Sequence, residues 1–486
     1  MIPWIAAAFL VVGFVAAVRL LGLVEASREV RSLARHSLGV LRSADFDDEE
    51  KELALQGNAK QLFRLFLILA FGGAAAALVP LGPLWLFDQY ALISLESVFD
   101  VALSPAFTIT GSALAILALS VRTRTTVEND ANSYSRLDRV LHRVAFKTYS
   151  AQVALADIED RVFAKRLAPF SVDRPVFITS LPRAGTTLLL ESCARVPEFA
   201  SHCYRDMPFT LIPCLWSRFS TVFRQAGQSR ERAHGDGMLI NLDSPEALEE
   251  VLWKTFWRRH YRSDRIIPWQ DEDNDEFDQF LRSHMRKIIL LRRGNDARYL
   301  SKNNLNIART RLLRRLFPNS VIVVPFRRPL HHAASLLQQH RNFLGIHERD
   351  PFTAEYMREI GHFDFGENLR PVDFGGWLDS RQSKAPTSLG FWLEYWVAAY
   401  EYLLAENGDS LAFVSYEALC EEPRRELQLM AETIGSRDPD ALLSSAIRIH
   451  PTRTRQVDTA DVSASVLRDV NRVYAKLTDA ALSKRR

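Results

Sequence analysis

The chain has 486 residues, 47% of them hydrophobic and 10% aromatic, which excludes an intrinsically disordered protein and supplies enough chain for more than one structural unit. Formal net charge is only +3, so the whole chain offers no field for a polyanion, nucleic acid is not an expected partner, and any basic site has to be local. The four cysteines, Cys193, Cys203, Cys214 and Cys420, form no CxxC pair and have no zinc-like spacing with histidine; they read as reduced core residues.

Residues 2–24, IPWIAAAFLVVGFVAAVRLLGLV, are long enough to cross a hydrocarbon layer roughly 30 Å thick, and their one charge, Arg19, lies near an end where it can snorkel. A removable signal peptide is the weaker reading, because a basic leader and a cleavage site are missing. Residues 61–87 give a second span with an aromatic end suited to the interface. Residues 103–121 are shorter and more polar, and read either as a third span or as a buried or re-entrant helix. Between the first two, residues 25–60 form an amphipathic connector. It carries Arg28, Arg31, Arg35, Arg42, Lys51 and Lys60, residues 88–102 contain no Lys or Arg, and Arg122 and Arg124 follow the third stretch. By the positive-inside rule the expectation is a multi-pass membrane segment over 1–121, in contact with the lipid bilayer, and a domain over 122–486 on the cytoplasmic side.

Residues 136–166 place apolar and charged residues at helical spacing and predict one or two helices. Beyond them come short apolar runs, each followed by a helical pattern: PVFITS (175–180), RYLSK (298–302), VIVVPF (321–326) and LAFVSY (411–416). Unalternating strands separated by helices predict an α/β fold, a P-loop-type parallel sheet flanked by helices. Ligands of such a sheet sit beyond the carboxyl ends of its strands.

The stretch ITSLPRAGTTLLLE (178–191) begins at one of those ends. Backbone N–H groups of a Gly-containing turn and the start of a helix near Thr186 suit a phosphate, and Thr186 and Thr187 add hydroxyls; an ordinary strand-turn-helix junction with threonine caps is the alternative. The loop departs from the nucleoside-triphosphate pattern G-x-x-x-x-G-K-[ST]: Thr186 follows Gly185 where Lys is needed, and Ser180 stands where the first Gly belongs. VIVVPF is followed by Arg327 and Arg328, with no Asp to serve magnesium. Charge compensation then has to come from side-chain cations, and Arg183 is placed to supply it.

Pro182, Arg183, Ala184, Gly185, Thr186 and Thr187 resemble, position for position, the 5'-phosphosulfate loop P-[KR]-[SA]-G-T-T of the sulfotransferases that use 3'-phosphoadenosine 5'-phosphosulfate (PAPS), in the Arg form of the tyrosylprotein and carbohydrate types. FRRPLHHAAS resembles their 3'-phosphate motif: Arg327, Pro329 and Ser335 fit its spacing, and Arg328 replaces the usual Asn or Asp. RYLSKNN resembles the strand with Lys302 that precedes it, with Asn304 in place of the usual Pro. FVSYEAL resembles a late, mostly structural segment. The resemblance covers residues 172–455 and implies that Gly185, Thr186 and Thr187 hold the 5'-phosphate, that Arg183 stabilises the leaving oxygen, and that Arg327 and Ser335 hold the 3'-phosphate. It implies PAPS as co-substrate, no metal, and sulfuryl transfer to a hydroxyl or amine.

A base has to take the acceptor's proton, and family members place an acidic residue or His shortly after the first motif. Tyr204 stands where the tyrosylprotein pattern has its Glu, so Asp206 is the first candidate, then His202 and Glu198. Residues 341–378 read as an acceptor lid or as a packed aromatic loop, Arg453 and Arg455 as phosphate contacts or a solvated basic strip, and residues 392–404 as a buried helix. Membrane spans point to a glycolipid, saccharide or small-molecule acceptor near the bilayer. The alternatives are a P-loop kinase or nucleotide hydrolase, which the missing Lys and Asp disfavour, and an inert membrane scaffold with a nucleotide-binding fold.

Overall fold

The structure is a computed structural model and describes residues 2–42, 48–89, 93–120, 136–223, 230–231, 239–240, 244–293, 296–382, 385–407, 411–450 and 456–484. Arg122, Arg124, Arg453 and Arg455 lie outside the described residues. The chain divides into two compact units, Met1–Leu141 and His142–Arg486.

The first unit is helical: Ile2–Leu20, Leu23–Arg42, Asp48–Leu78, Leu81–Gln89, Leu95–Ala102 and Pro105–Ser120. Small residues let these helices approach, with Ala7 and Ala76 fully buried in two separate clusters. Apolar side chains also face outward: Phe63, Phe66, Phe71, Trp85 and Ile109 are each more than half exposed. Among the described residues one stretch, Gln61–Gln89, is long and apolar enough to cross a membrane, with mean hydropathy 2.2; the apolar helix Ala6–Leu20 is shorter. The third expected span corresponds to a helix of 16 residues, below the usual spanning length.

The second unit is built on strands β1 (Val176–Ile178), β2 (Phe199–Ala200), β5 (Arg298–Lys302), β6 (Val321–Phe326) and β7 (Ala412–Ser415), with a short antiparallel pair β3 (Arg230–Glu231) and β4 (Leu239–Ile240) apart from them. The five-stranded sheet has the order β2-β5-β1-β6-β7 and every pairing in it is parallel. Its register places Ile178 beside both Lys302 and Val323, so the chain leaves β1, β5 and β6 at one edge. Both faces are covered. Ile178, Leu300, Val323 and Val414 pack on Leu189 and Leu190 of the helix Thr186–Ala194 and on Leu427 and Met430 of the helix Pro423–Ile434. Phe177 points the other way, its ring 5.9 Å from that of Phe317. Each fully buried side chain of this size contributes roughly 1.5–3 kcal/mol, which explains why β1 holds with only three residues.

The sequence-expected strands are all present, and β2 is additional: two residues that pair only with β5 leave no apolar run to read. Residues 136–166 form the helices Arg136–Lys147 and Tyr149–Leu167. All four cysteines are buried and unbridged, and burial pushes the thiols of Cys193 and Cys214 up to about 12.

Candidate active site

The site is the sheet edge where β1 and β6 lie side by side while their continuations diverge, the switch point at which an open parallel sheet forms its crevice. After β1 the chain turns tightly. Arg183 adopts φ 69° and Gly185 adopts φ 99°, both in the left-handed region, and the helix Thr186–Ala194 starts from Gly185. An ideal Cβ on Gly185 would lie 2.6 Å from Cδ2 of Tyr416, so glycine is required both by φ and by space. Gly185→Ala is therefore expected to cost about 1–2 kcal/mol in thermal unfolding, from the left-handed backbone alone, and to displace the Tyr416 ring.

That ring also lies under the second motif, with the Arg327 guanidinium carbon 5.1 Å from its centroid. Arg183 Nε donates to Ser335 Oγ at 3.4 Å, and Pro182 O accepts from the His332 imidazole at 2.8 Å. The loop after β1 and the helix Pro329–Arg349 after β6 thus close on each other. Behind them the Tyr400 hydroxyl, from the helix Leu389–Asn407, contacts Ser180 Oγ at 2.7 Å and donates to Pro325 O, which ties the ends of β1 and β6 together. The Nε of Arg327 is buried and has no hydrogen-bond partner among the described residues. A buried guanidinium N–H left unpaired costs free energy that a bound anion would recover, so the residues present fit a phosphate here.

Arg328, which replaces the usual Asn or Asp, donates its backbone N–H to Glu417 Oε1, so a carboxylate from beyond β7 secures the loop. Asn304 likewise has a use: its Oδ1 accepts from Thr186 Oγ1, its backbone O accepts from Thr179 Oγ1, and its Nδ2 donates to Asp364. Thr186 is buried and committed to this contact, while Ala184 is fully buried and Thr187 is partly exposed.

Of the three residues expected to include a base, one lies at the far sheet edge and two are buried in a polar network. Glu198 lies at the amino end of β5, where its carbonyl accepts from Arg298 N and its carboxylate pairs with the Arg298 guanidinium at 2.8 Å. That is the opposite sheet edge from the phosphate loop, and Glu198 is corrected to a structural anchor. Asp206 is buried, accepts from Cys203 N, pairs with Arg292, and has His202 Nδ1 at 3.3 Å. Burial alone raises its pKa, but His202 and Arg292 outweigh that and hold the carboxyl well below the usual range. Buried, with both oxygens taken by Cys203 N and Arg292, this carboxylate is closed to an acceptor hydroxyl. His202 is itself buried, with its ring stacked on His284 at 5.0 Å. Both belong to a buried polar network with Arg292 and His284.

Sequence reasoning missed Glu246. Its backbone N donates to His202 O, and Tyr204 N donates to Ser244 O, so residues 202–204 and 244–246 run side by side. The next turn is pinned: Glu249 accepts from Tyr299 and Trp253, and Glu250 accepts from Asn303 and from both contacts of Arg309. Glu246 faces His362, Lys302 at the end of β5, and the Tyr204 hydroxyl. Burial pushes its carboxyl up, but those groups together with Ala247 N outweigh it and hold the carboxyl below the ordinary value, so it is ionised at neutral pH. Residues 341–378 are packed rather than lid-like, with Phe363, Phe365 and Phe374 buried. The helix over 392–404 is buried as expected, but its Tyr400 also braces the site.

Residues 175–364 match the family model described as "Sulfotransferase family". None of the curated proteins matches the chain. Solved structures similar to it include sulfotransferase STF9 from Mycobacterium avium, at 13% identity over 75% of this chain and 89% of that one with a TM-score of 0.42. Another is sulfotransferase STF1 from Mycobacterium tuberculosis, at 14% identity over 70% and 83% of the two chains with a TM-score of 0.34.

Proposed function

We propose that the second unit transfers a sulfuryl group from PAPS to a hydroxyl of an acceptor. The observation that carries this reading is the contact of Arg183 with Ser335, 152 residues apart in sequence, which joins the two motifs into one site beside the unpaired Nε of Arg327. The family match over 175–364 supports it. PAPS supplies the activated sulfuryl group and a phosphate as leaving group. Backbone N–H groups around Gly185 and the Thr187 hydroxyl hold the 5' end, Arg327 and Ser335 hold the 3'-phosphate, and Arg183 neutralises charge on the departing oxygen. The acceptor oxygen forms its bond to sulfur as the sulfur–phosphate oxygen bond breaks, and the hydroxyl proton passes to Glu246, the ionised carboxylate beside Lys302 and the Tyr204 hydroxyl.

Incubation of the full chain with radiolabelled PAPS and a membrane-lipid extract, without added divalent metal, tests the reaction. Labelled lipid supports it; failure to bind adenosine 3',5'-bisphosphate overturns it. Glu246→Gln is expected to lower turnover about 10²- to 10⁴-fold while leaving bisphosphate affinity unchanged. In the wild type the acid limb of the rate profile lies at lower pH than an ordinary glutamate would give, because ionisation persists to lower pH, and Glu246→Gln removes that limb.

We also place the first unit in a bilayer, with Gln61–Gln89 and the shorter helix Pro105–Ser120 crossing it in opposite directions, so that the stretch 25–60 and the transferase unit share the cytoplasmic side and the acceptor is a membrane-associated glycolipid or saccharide. The exposed phenylalanines of that unit and the Arg-rich stretch 25–60 support this. Protease protection in sealed vesicles reads out the side.

A further inference from the structure

A second pocket lies in the same unit, apart from the phosphate loop. It has a volume of about 350 Å³, aromatic walls from Tyr149, Tyr261 and Phe363, and four cations, Lys254, Arg258, Arg358 and Arg370, against one carboxylate, Glu359. Lys254 is spent internally: its ammonium donates to Arg358 O, Glu359 O and Glu359 Oε2 at 2.8–3.0 Å, which uses all three protons and fixes this stretch of backbone. Glu359 is thereby committed to Lys254, and Arg358 Nε approaches its other oxygen only to 3.8 Å. Among the described residues the three arginines are left with little neutralisation. The Arg370 guanidinium lies 4.7 Å over the Phe363 ring, and burial together with the charge of Arg358 lowers its pKa. Arg258 and Arg358 are exposed and Arg370 is half-buried, so the three guanidinium groups gather at the pocket mouth, and an anion entering there relieves their mutual repulsion.

We infer that this pocket binds a compact oxyanion of the phosphate- or sulfate-ester class, held by Arg258, Arg358 and Arg370, with the aromatic walls taking a small ring that bears it. The planar fork of arginine matches tetrahedral oxyanions, and the volume falls in the range of small-ligand sites. Phe363 stands between His362, which faces Glu246, and Asp364, which accepts from Asn304; one short segment therefore separates the pocket from the phosphate loop.

Calorimetry on the full chain in detergent, with adenosine 3',5'-bisphosphate already saturating, tests this with inorganic sulfate, inorganic phosphate and glucose 6-phosphate as probes. Saturable binding is expected, weakened at least tenfold by Arg370→Ala and by Arg258→Ala, partly restored by Arg370→Lys, and unchanged by Arg327→Ala. Tighter binding of the sugar ester than of inorganic phosphate identifies an ester ligand; equal binding identifies the free ion. Unaltered bisphosphate affinity in Arg370→Ala and Arg258→Ala certifies that those variants fold. Absence of saturable binding, or binding that ignores Arg258 and Arg370 and is lost in Arg327→Ala, overturns the inference. These readouts do not depend on sulfuryl transfer, so the two readings fail separately.

Discussion

Replacing Arg183 by glycine is expected to leave stability within about 1 kcal/mol of the wild type while cutting sulfuryl transfer about 10²- to 10³-fold. The two effects separate because Arg183 sits at φ 69°, where an L-residue pays roughly 1–2 kcal/mol that glycine does not. Glycine instead loses more chain entropy on folding, about 0.5–1 kcal/mol, and forfeits the Ser335 contact, worth about 0.5–1.5 kcal/mol. Arg183→Ala keeps the strained backbone and loses the same contact, so it should unfold at a lower temperature than Arg183→Gly with an equal loss of rate. Thermal unfolding and initial rates at saturating donor measure both. Full turnover in Arg183→Gly removes the claim that this guanidinium neutralises the leaving group.

Arg327→Ala should weaken adenosine 3',5'-bisphosphate binding about 10- to 150-fold, the range for losing a hydrogen bond to a charged group. The decisive control is a ligand without a 3'-phosphate. Binding of adenosine 5'-phosphosulfate should scarcely change in the variant, because the loop after β1 is untouched and the Nε that Arg327 buries has no partner to lose among the described residues. Isothermal titration of both ligands against both proteins gives a four-way cycle whose coupling term isolates the 3' contact. Equal weakening for both ligands places Arg327 in general support of the fold rather than on that phosphate.

The two phosphate motifs were legible because each is local: a strand end, a turn and a helix start within ten residues fix their own geometry, so PRAGTT and FRRPLHHAAS carry their spacing openly. For the base, proximity in sequence and the fold point to different candidates. Asp206 lies close after the loop, but Arg292, from a helix 86 residues on, occupies its carboxylate. Glu246 has no pattern of its own; it reaches the site because Glu249 and Glu250 dock behind β5, and only the fold brings those partners together. The departures at Asn304 and Arg328 could be noted in the sequence but not explained. Their meaning is tertiary, in Thr186 and Asp364 for one and Glu417 for the other.

The ring of Tyr416 fills the space a Cβ on Gly185 would need and also lies beneath Arg327. On the proposed reading, one aromatic ring therefore sets the span between the two grips, and the site works as a caliper. On that reading, a nucleotide whose second phosphate sits on the neighbouring ribose carbon presents the same charge at the wrong separation, and it is expected to bind more weakly through distance rather than through any group that repels it.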